Sequence, residues 1–277
     1  MNNEQAVIDL EPIYRHSAVL RALRPVISLV CGHLLKFDRF AADMRTWETM
    51  CEGRDTPFAP AVEGLQLKIK VDNREALGEF EQGPLIVASN HPFGALEGIA
   101  IGHLFDDTRY HLKIFATEML HRIVPMRSRL ICADSLTRKD RAGVSNFRAL
   151  RTTMKHLQGD GALLMFPAGR VSHFRWKYFK VADPDWTTQV VRLARRRSAN
   201  VLLIHVEGAN SWRYQLAGFF HPLFRTLLLL REFYRRAEKK SVRLTLKAIP
   251  HDAPVLIEGS EESAIAALRK LTYGMHP

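Results

Sequence analysis

From residue 65 onward, short apolar runs alternate with stretches of helical periodicity, and this alternation limits the fold more than any other feature of the chain. Leu85 to Ala88, Ala162 to Phe166 and Val201 to Val206 offer almost nothing for water to face. Strands of that kind must be covered on both sides. Leu65 to Val71 and Ser241 to Ala248 instead alternate apolar and polar residues, as half-buried strands do. Leu112 to Ala116 and Leu130 to Ala133 are further strand candidates. Gly98 to Phe105, Val144 to Leu157, Thr188 to Arg197 and Glu261 to Tyr273 read as helices, the second stopped by Gly159-Asp160-Gly161. The pattern predicts an α/β domain with a central, mostly parallel or mixed sheet flanked by helices.

Residues 1–60 are expected to be helical and residues 61–277 to form the α/β domain. Val19, Leu20, Leu23, Ile27, Val30, Leu34 and Leu35 recur at helical spacing with Arg and Lys between them. Such a helix lies either on a membrane surface or against a protein core. Cys51 to Pro60, with Gly53, Pro57 and Pro60, reads as a loop. No run reaches the roughly 18 charge-free apolar residues of a spanning helix. The first nine residues are polar and acidic, unlike a signal peptide. Cys31, Cys51 and Cys132 have no metal-site spacing and read as inert thiols of a reducing compartment. The expected location is therefore cytoplasmic, peripheral on the inner face of the cell membrane.

Three loops follow buried strands, where open α/β sheets gather their sites. The first is Ser89 to Gly98. His91 is its one side chain suited to proton transfer near neutral pH. Pro92 and Gly94 would shape a turn, and a helix starting near Ala95 would return the Glu97 carboxylate to the imidazole. A carboxylate on one ring nitrogen leaves the other free to accept a proton. The second loop runs from Phe166 through Pro167, Ala168, Gly169, Arg170, Val171 and Ser172 to His173. Gly169 lets backbone approach a ligand closely. Arg170 offers a planar fork for phosphate or carboxylate, and Ser172 either caps a turn or bonds the same ligand. The third loop, His205 to Trp212, carries Asn210-Ser211 as a turn or helix cap. Each loop taken singly is also compatible with a purely structural role.

In this order and at these separations the three loops resemble the signature blocks of the lysophospholipid (glycerol-phosphate) acyltransferase superfamily. The first block, Asn90-His91-Pro92-Phe93-Gly94-Ala95-Leu96-Glu97, is similar to the version in the bacterial haemolysin-related and ornithine-lipid branch. Phe166-Pro167-Ala168-Gly169-Arg170-Val171-Ser172 resembles the later block, in which Glu and Arg ordinarily stand where Ala168 and Val171 stand here. Glu207-Gly208-Ala209-Asn210-Ser211 and Gln215-Leu216-Ala217-Gly218 extend the likeness, which covers about Leu85 to Pro250. Arg138 is a candidate for the intermediate block.

The resemblance implies transfer of a fatty acyl group from an acyl thioester, on acyl carrier protein or coenzyme A, to a hydroxyl of a lysolipid-like acceptor. His91 would be the general base, oriented by Glu97. Asn90, Gly94, Phe166, Pro167, Gly169, Arg170, Ser172 and Glu207 would line the substrate site. Backbone amides near Gly94 or Gly169 are candidates for the oxyanion. No metal or resident cofactor is expected. The altered phosphate-binding block keeps a second acceptor class open, an amino-acid lipid or another amphiphile without glycerol phosphate, acylated on nitrogen or oxygen. From another class, a non-catalytic lipid- or nucleic-acid-binding protein on the same scaffold remains. No Gly-x-Ser-x-Gly elbow points to a serine hydrolase.

The formal net charge is +11, which favours an anionic partner. Arg192, Arg195, Arg196 and Arg197, with Arg231, Arg235, Arg236, Lys239 and Lys240, read either as solvated helix faces or as a set suited to an anionic membrane surface or an acidic carrier protein. No nucleic-acid motif accompanies the charge, so nucleic acid is not the expected partner.

Overall fold

The computed structural model describes residues 36–80, 82–133, 139–159, 161–220 and 222–275. In chain order the elements are α1 (Phe37–Cys51), α2 (Phe58–Gly64), β1 (Lys68–Asp72), β2 (Leu85–Ser89), α3 (Leu96–Leu104), β3 (His111–Thr117), β4 (Leu130–Ala133), α4 (Lys139–His156), β5 (Gly161–Met165), β6 (His173–Arg175), β7 (Lys180–Ala182), α5 (Gln189–Arg197), β8 (Asn200–Val206), α6 (Trp212–Phe220), α7 (Pro222–Ala237), β9 (Ser241–Ile249), α8 (Pro254–Ile257) and α9 (Glu261–Gly274).

Seven strands form one mixed sheet in the order β1-β9-β8-β2-β5-β3-β4. The block β8-β2-β5-β3-β4 is parallel throughout. β9 turns antiparallel on β8, and β1 runs parallel to β9. The all-apolar runs take the middle of the sheet because both of its faces are covered. Leu85 and Val87 of β2 join one core with α3, Trp47 of α1 and Phe58 of α2, while Ile86 and Ala88 join the other with residues of α5 and α9. The alternating runs are β1, an edge strand, and β9, beside it. Gly102 of α3 is a site of close approach: a Cβ there would lie 2.3 Å from the Phe58 ring.

Of the expected N-terminal segment, residues 1–35 lie outside the described residues, as do Cys31 and Arg138. The expected loop Cys51 to Pro60 ends in α2, and Trp47 donates its indole N–H to the Pro57 carbonyl at 2.8 Å. Among the described residues no helix is long and apolar enough to cross a membrane.

Three of the four arginines of the basic helix α5 have protein partners. Arg192 pairs with Glu261 at 2.8 Å. Arg195 donates to the carbonyls of Leu256, Glu258 and Gly259, and Arg197 to that of Leu157. These guanidiniums satisfy carbonyls at the ends of α8 and α4, and they fasten α5 to its neighbours.

Candidate active site

The site lies where β2 and its neighbours β5 and β8 end. Asn90 joins two of those ends. Its side chain donates to the Val206 carbonyl at 2.9 Å and accepts the Val206 N–H at 2.7 Å. Asn90 is 3% exposed and acts as a clamp between strands. The chain then turns through Gly94, whose φ of +109° favours glycine, and enters α3.

Glu97, in the first turn of α3, is wholly buried. Its Oε1 accepts three donors: His91 Nδ1 at 2.8 Å, Phe93 N–H at 3.0 Å and Gly94 N–H at 3.0 Å. Burial disfavours its charge, but the neighbouring His91 and the backbone N–H of Gly94 outweigh that and hold the carboxyl below its usual range. An ionised carboxylate on Nδ1 makes that nitrogen the proton-bearing one. Nε2 is left as the basic atom, on a ring that keeps some access to solvent. Gly94 N–H is therefore spent on the carboxylate rather than open to an oxyanion. Gly169 N–H is likewise taken, by the Phe166 carbonyl at 2.9 Å.

The loop after β5 meets this ring. Phe166 stacks on His91 with centroids 4.1 Å apart and planes tilted by 23°. Ser172 N–H donates to the His91 carbonyl at 2.7 Å. Ser172 is 3% exposed and gives its hydroxyl to Asp183 Oδ1, so it braces the loops. Pro167 is buried, and its carbonyl accepts the Thr187 N–H and hydroxyl. Ala168 packs into the core beneath. Gly169 and Arg170 are exposed at the loop tip. Glu207 is directed elsewhere, toward Arg243 of β9 at 3.8 Å.

Further residues complete the site, and two of them, Asp183 and Arg236, lie outside the motif blocks. Asp183, fully buried, accepts the His91 N–H at 3.2 Å, the Ser172 hydroxyl and the Trp186 indole N–H at 2.8 Å. Burial pushes its carboxyl above the ordinary value, partly offset by those donors. Arg236 of α7 lies over the Phe93 ring at 4.5 Å. Asn210 donates to the Phe93 carbonyl at 3.4 Å, and Ser211 starts α6 with its hydroxyl and N–H both on Glu232. The Glu97 carboxylate and the Phe166 ring thus hold the His91 imidazole, one at its edge and the other on its face.

Part of the chain is similar to a curated lipid acyltransferase. The lyso-glycine lipid O-acyltransferase of Phocaeicola vulgatus is 26% identical over 168 residues, 58% of this chain and 55% of that protein. The chain thus matches only about half of that relative's length. No protein-family model matches the chain. Among solved structures, the 1-acyl-sn-glycerophosphate (LPA) acyltransferase PlsC from Thermotoga maritima aligns over 91% of this chain and 96% of its own, with 15% identity and a TM-score of 0.47.

Proposed function

We propose that the chain is an acyltransferase that moves a fatty acyl group from an acyl thioester to a hydroxyl of a lysolipid-like acceptor. The observation that carries this is the His91–Glu97 contact of 2.8 Å on an oxygen that also takes two backbone donors. A carboxylate held so firmly fixes both the tautomer and the orientation of the ring. His91 Nε2 takes the proton of the acceptor hydroxyl as its oxygen attacks the thioester carbonyl. The resulting oxyanion needs donors, which the committed amides of Gly94 and Gly169 do not supply. Collapse breaks the C–S bond, and the imidazolium returns its proton to the leaving thiolate. Glu97 stabilises the imidazolium between those steps. The donor thioester belongs to acyl carrier protein or coenzyme A.

The acceptor we favour is an amino-acid lipid carrying a free hydroxyl. Position 168 is an alanine packed into the core, without the carboxylate of the phosphate-binding block, and the relative quoted above is named for a lyso-glycine lipid. Arg170 would then meet a carboxylate headgroup in place of a phosphate.

His91→Ala should lower acyl transfer on the order of a thousandfold, the scale of a lost general base, while the protein stays folded. Near-normal turnover in that variant would overturn the mechanism. Wild-type enzyme offered one acyl thioester should acylate a lyso-amino-acid lipid faster than lysophosphatidate; the reverse order would overturn the acceptor assignment.

A further inference from the structure

A surface beside this site is unusual for a water-facing one. Phe174 of β6, Trp176 and Phe179 of the hairpin turn, and Phe219 of α6 form a continuous aromatic cluster, with ring centroids 5.2 to 6.3 Å apart. Trp212 and Leu216 extend it around an apolar groove of about 480 Å³. Trp176 is 64% exposed, Phe179 77% and Trp212 66%. A hairpin of two three-residue strands has no core of its own to display, and soluble monomers rarely expose large apolar side chains side by side.

The two segments that carry the cluster hold charge of one sign. Arg170, Arg175, Lys177 and Lys180 fall between residues 170 and 182, a stretch without a carboxylate. Ser211 to Arg231 is also free of Asp and Glu, with Arg213 over the Trp212 ring at 5.7 Å. Aromatic rings ringed by Lys and Arg match the interface of an anionic bilayer, where rings sit at headgroup depth and cations meet lipid phosphates. A second copy of the chain would bring one cationic rim against another. The face also adjoins the proton-transfer pair. Phe174 N–H donates to Gln215, Gln215 to the Asn210 carbonyl, and Asn210 to the Phe93 carbonyl, two residues from His91.

We propose that the β6–β7 hairpin and α6 form a docking face for an anionic phospholipid bilayer. It rests on the acyl-transfer reading in one respect: docking there delivers a lipid acceptor beside the His91 loop. The membrane contact thus moves from α5, three of whose four arginines are tied to protein groups, to a face whose largest apolar side chains are not buried.

The test is co-sedimentation of the full chain with vesicles of phosphatidylcholine, alone or mixed with phosphatidylglycerol. Trp176→Ser combined with Phe179→Ser should lower partitioning roughly tenfold or more on both compositions, since each ring loses buried apolar area. The melting temperature should stay, because both rings are exposed. Lys177→Ser with Lys180→Ser should weaken binding to the mixed vesicles several-fold and leave pure phosphatidylcholine binding as it was. Unchanged partitioning of the aromatic variant would overturn the docking face. Turnover lost with vesicle binding kept would overturn it too, making the cluster an acyl-chain groove. A wild-type chain that transfers acyl groups but ignores both vesicles would overturn the docking face alone, whereas an active His91→Ala would overturn the acyl-transfer reading alone.

Discussion

In the loop after β2, one buried oxygen of Glu97 holds the imidazole and two backbone amides, and Asn90 ties the loop to β8. In the loop after β5, the ends are equally fixed, by Phe166 on His91 and by Ser172 on Asp183, but the tip at Gly169 and Arg170 stands in solvent. The two loops meet at one ring and differ in how firmly they are held. A proton-transfer pair needs positions held within about half an ångström. A headgroup contact needs reach and room. On the reading proposed above, rigidity is concentrated at the proton-transfer pair, and the exposed tip is left for the acceptor headgroup.

Glu97→Gln tests the rigid half most severely. The amide oxygen still accepts one donor but cannot stabilise an imidazolium, so turnover should fall on the order of a hundredfold or more while substrate KM changes little. The same variant has a signature in stability. The folded carboxyl lies below its ordinary value. Its contribution is therefore present above the unfolded carboxylate range and is lost as the pH falls through the folded value. Melting curves of wild type and variant should converge as the solution is acidified. A gap that widened toward low pH would mean that Glu97 is protonated in the fold.

Gly94→Ala should come next. A Cβ at φ +109° would also stand 3.1 Å from Leu229 and 3.3 Å from Val171. The strain is on the order of 2–3 kcal/mol, and relieving it moves the N–H that holds Glu97. Thermal denaturation should show the loss, with a fall in kcat beyond what unfolding explains. Arg170→Ala, in the open loop, should behave in the opposite sense. Its expected effect is roughly a tenfold rise in acceptor KM, the scale of one charge-assisted hydrogen bond, with kcat and melting temperature nearly kept.

The sheet was legible because both-face burial leaves a continuous apolar run, and β2, β5 and β8 carry one each. The β6–β7 hairpin was not, because two three-residue strands make no period. The pair His91 and Glu97 was legible because Pro92, Gly94 and a helix start stand between them. Asp183 was not. It sits in an ordinary stretch, and only the fold brings it to the His91 amide, 92 residues away in sequence. The bracing contacts of Asn90 on Val206 and of Ser172 on Asp183 were not legible either, since a short polar side chain at a strand end is equally able to brace two loops or to meet a ligand. The arginines of α5 show the same limit, because charge in a sequence does not reveal which carbonyls will face it.

Gly169→Ala is the smallest expected effect and the closest control on the comparison. Both glycines have positive φ, but that of Gly169 is +61°, and a Cβ there meets nothing within 4 Å. An alanine in that left-handed region costs about 1 kcal/mol. The added methyl faces solvent and leaves the Gly169 N–H on the Phe166 carbonyl. Turnover on a short-chain acceptor should therefore stay near that of wild type, with a melting temperature only slightly lowered. If Gly169→Ala instead lost activity as steeply as Gly94→Ala, a ligand or backbone must pass against that Cα in the working complex. The tip of the second loop would then belong to the rigid half of the site, and the division between holding the proton and meeting the headgroup would fail at this residue.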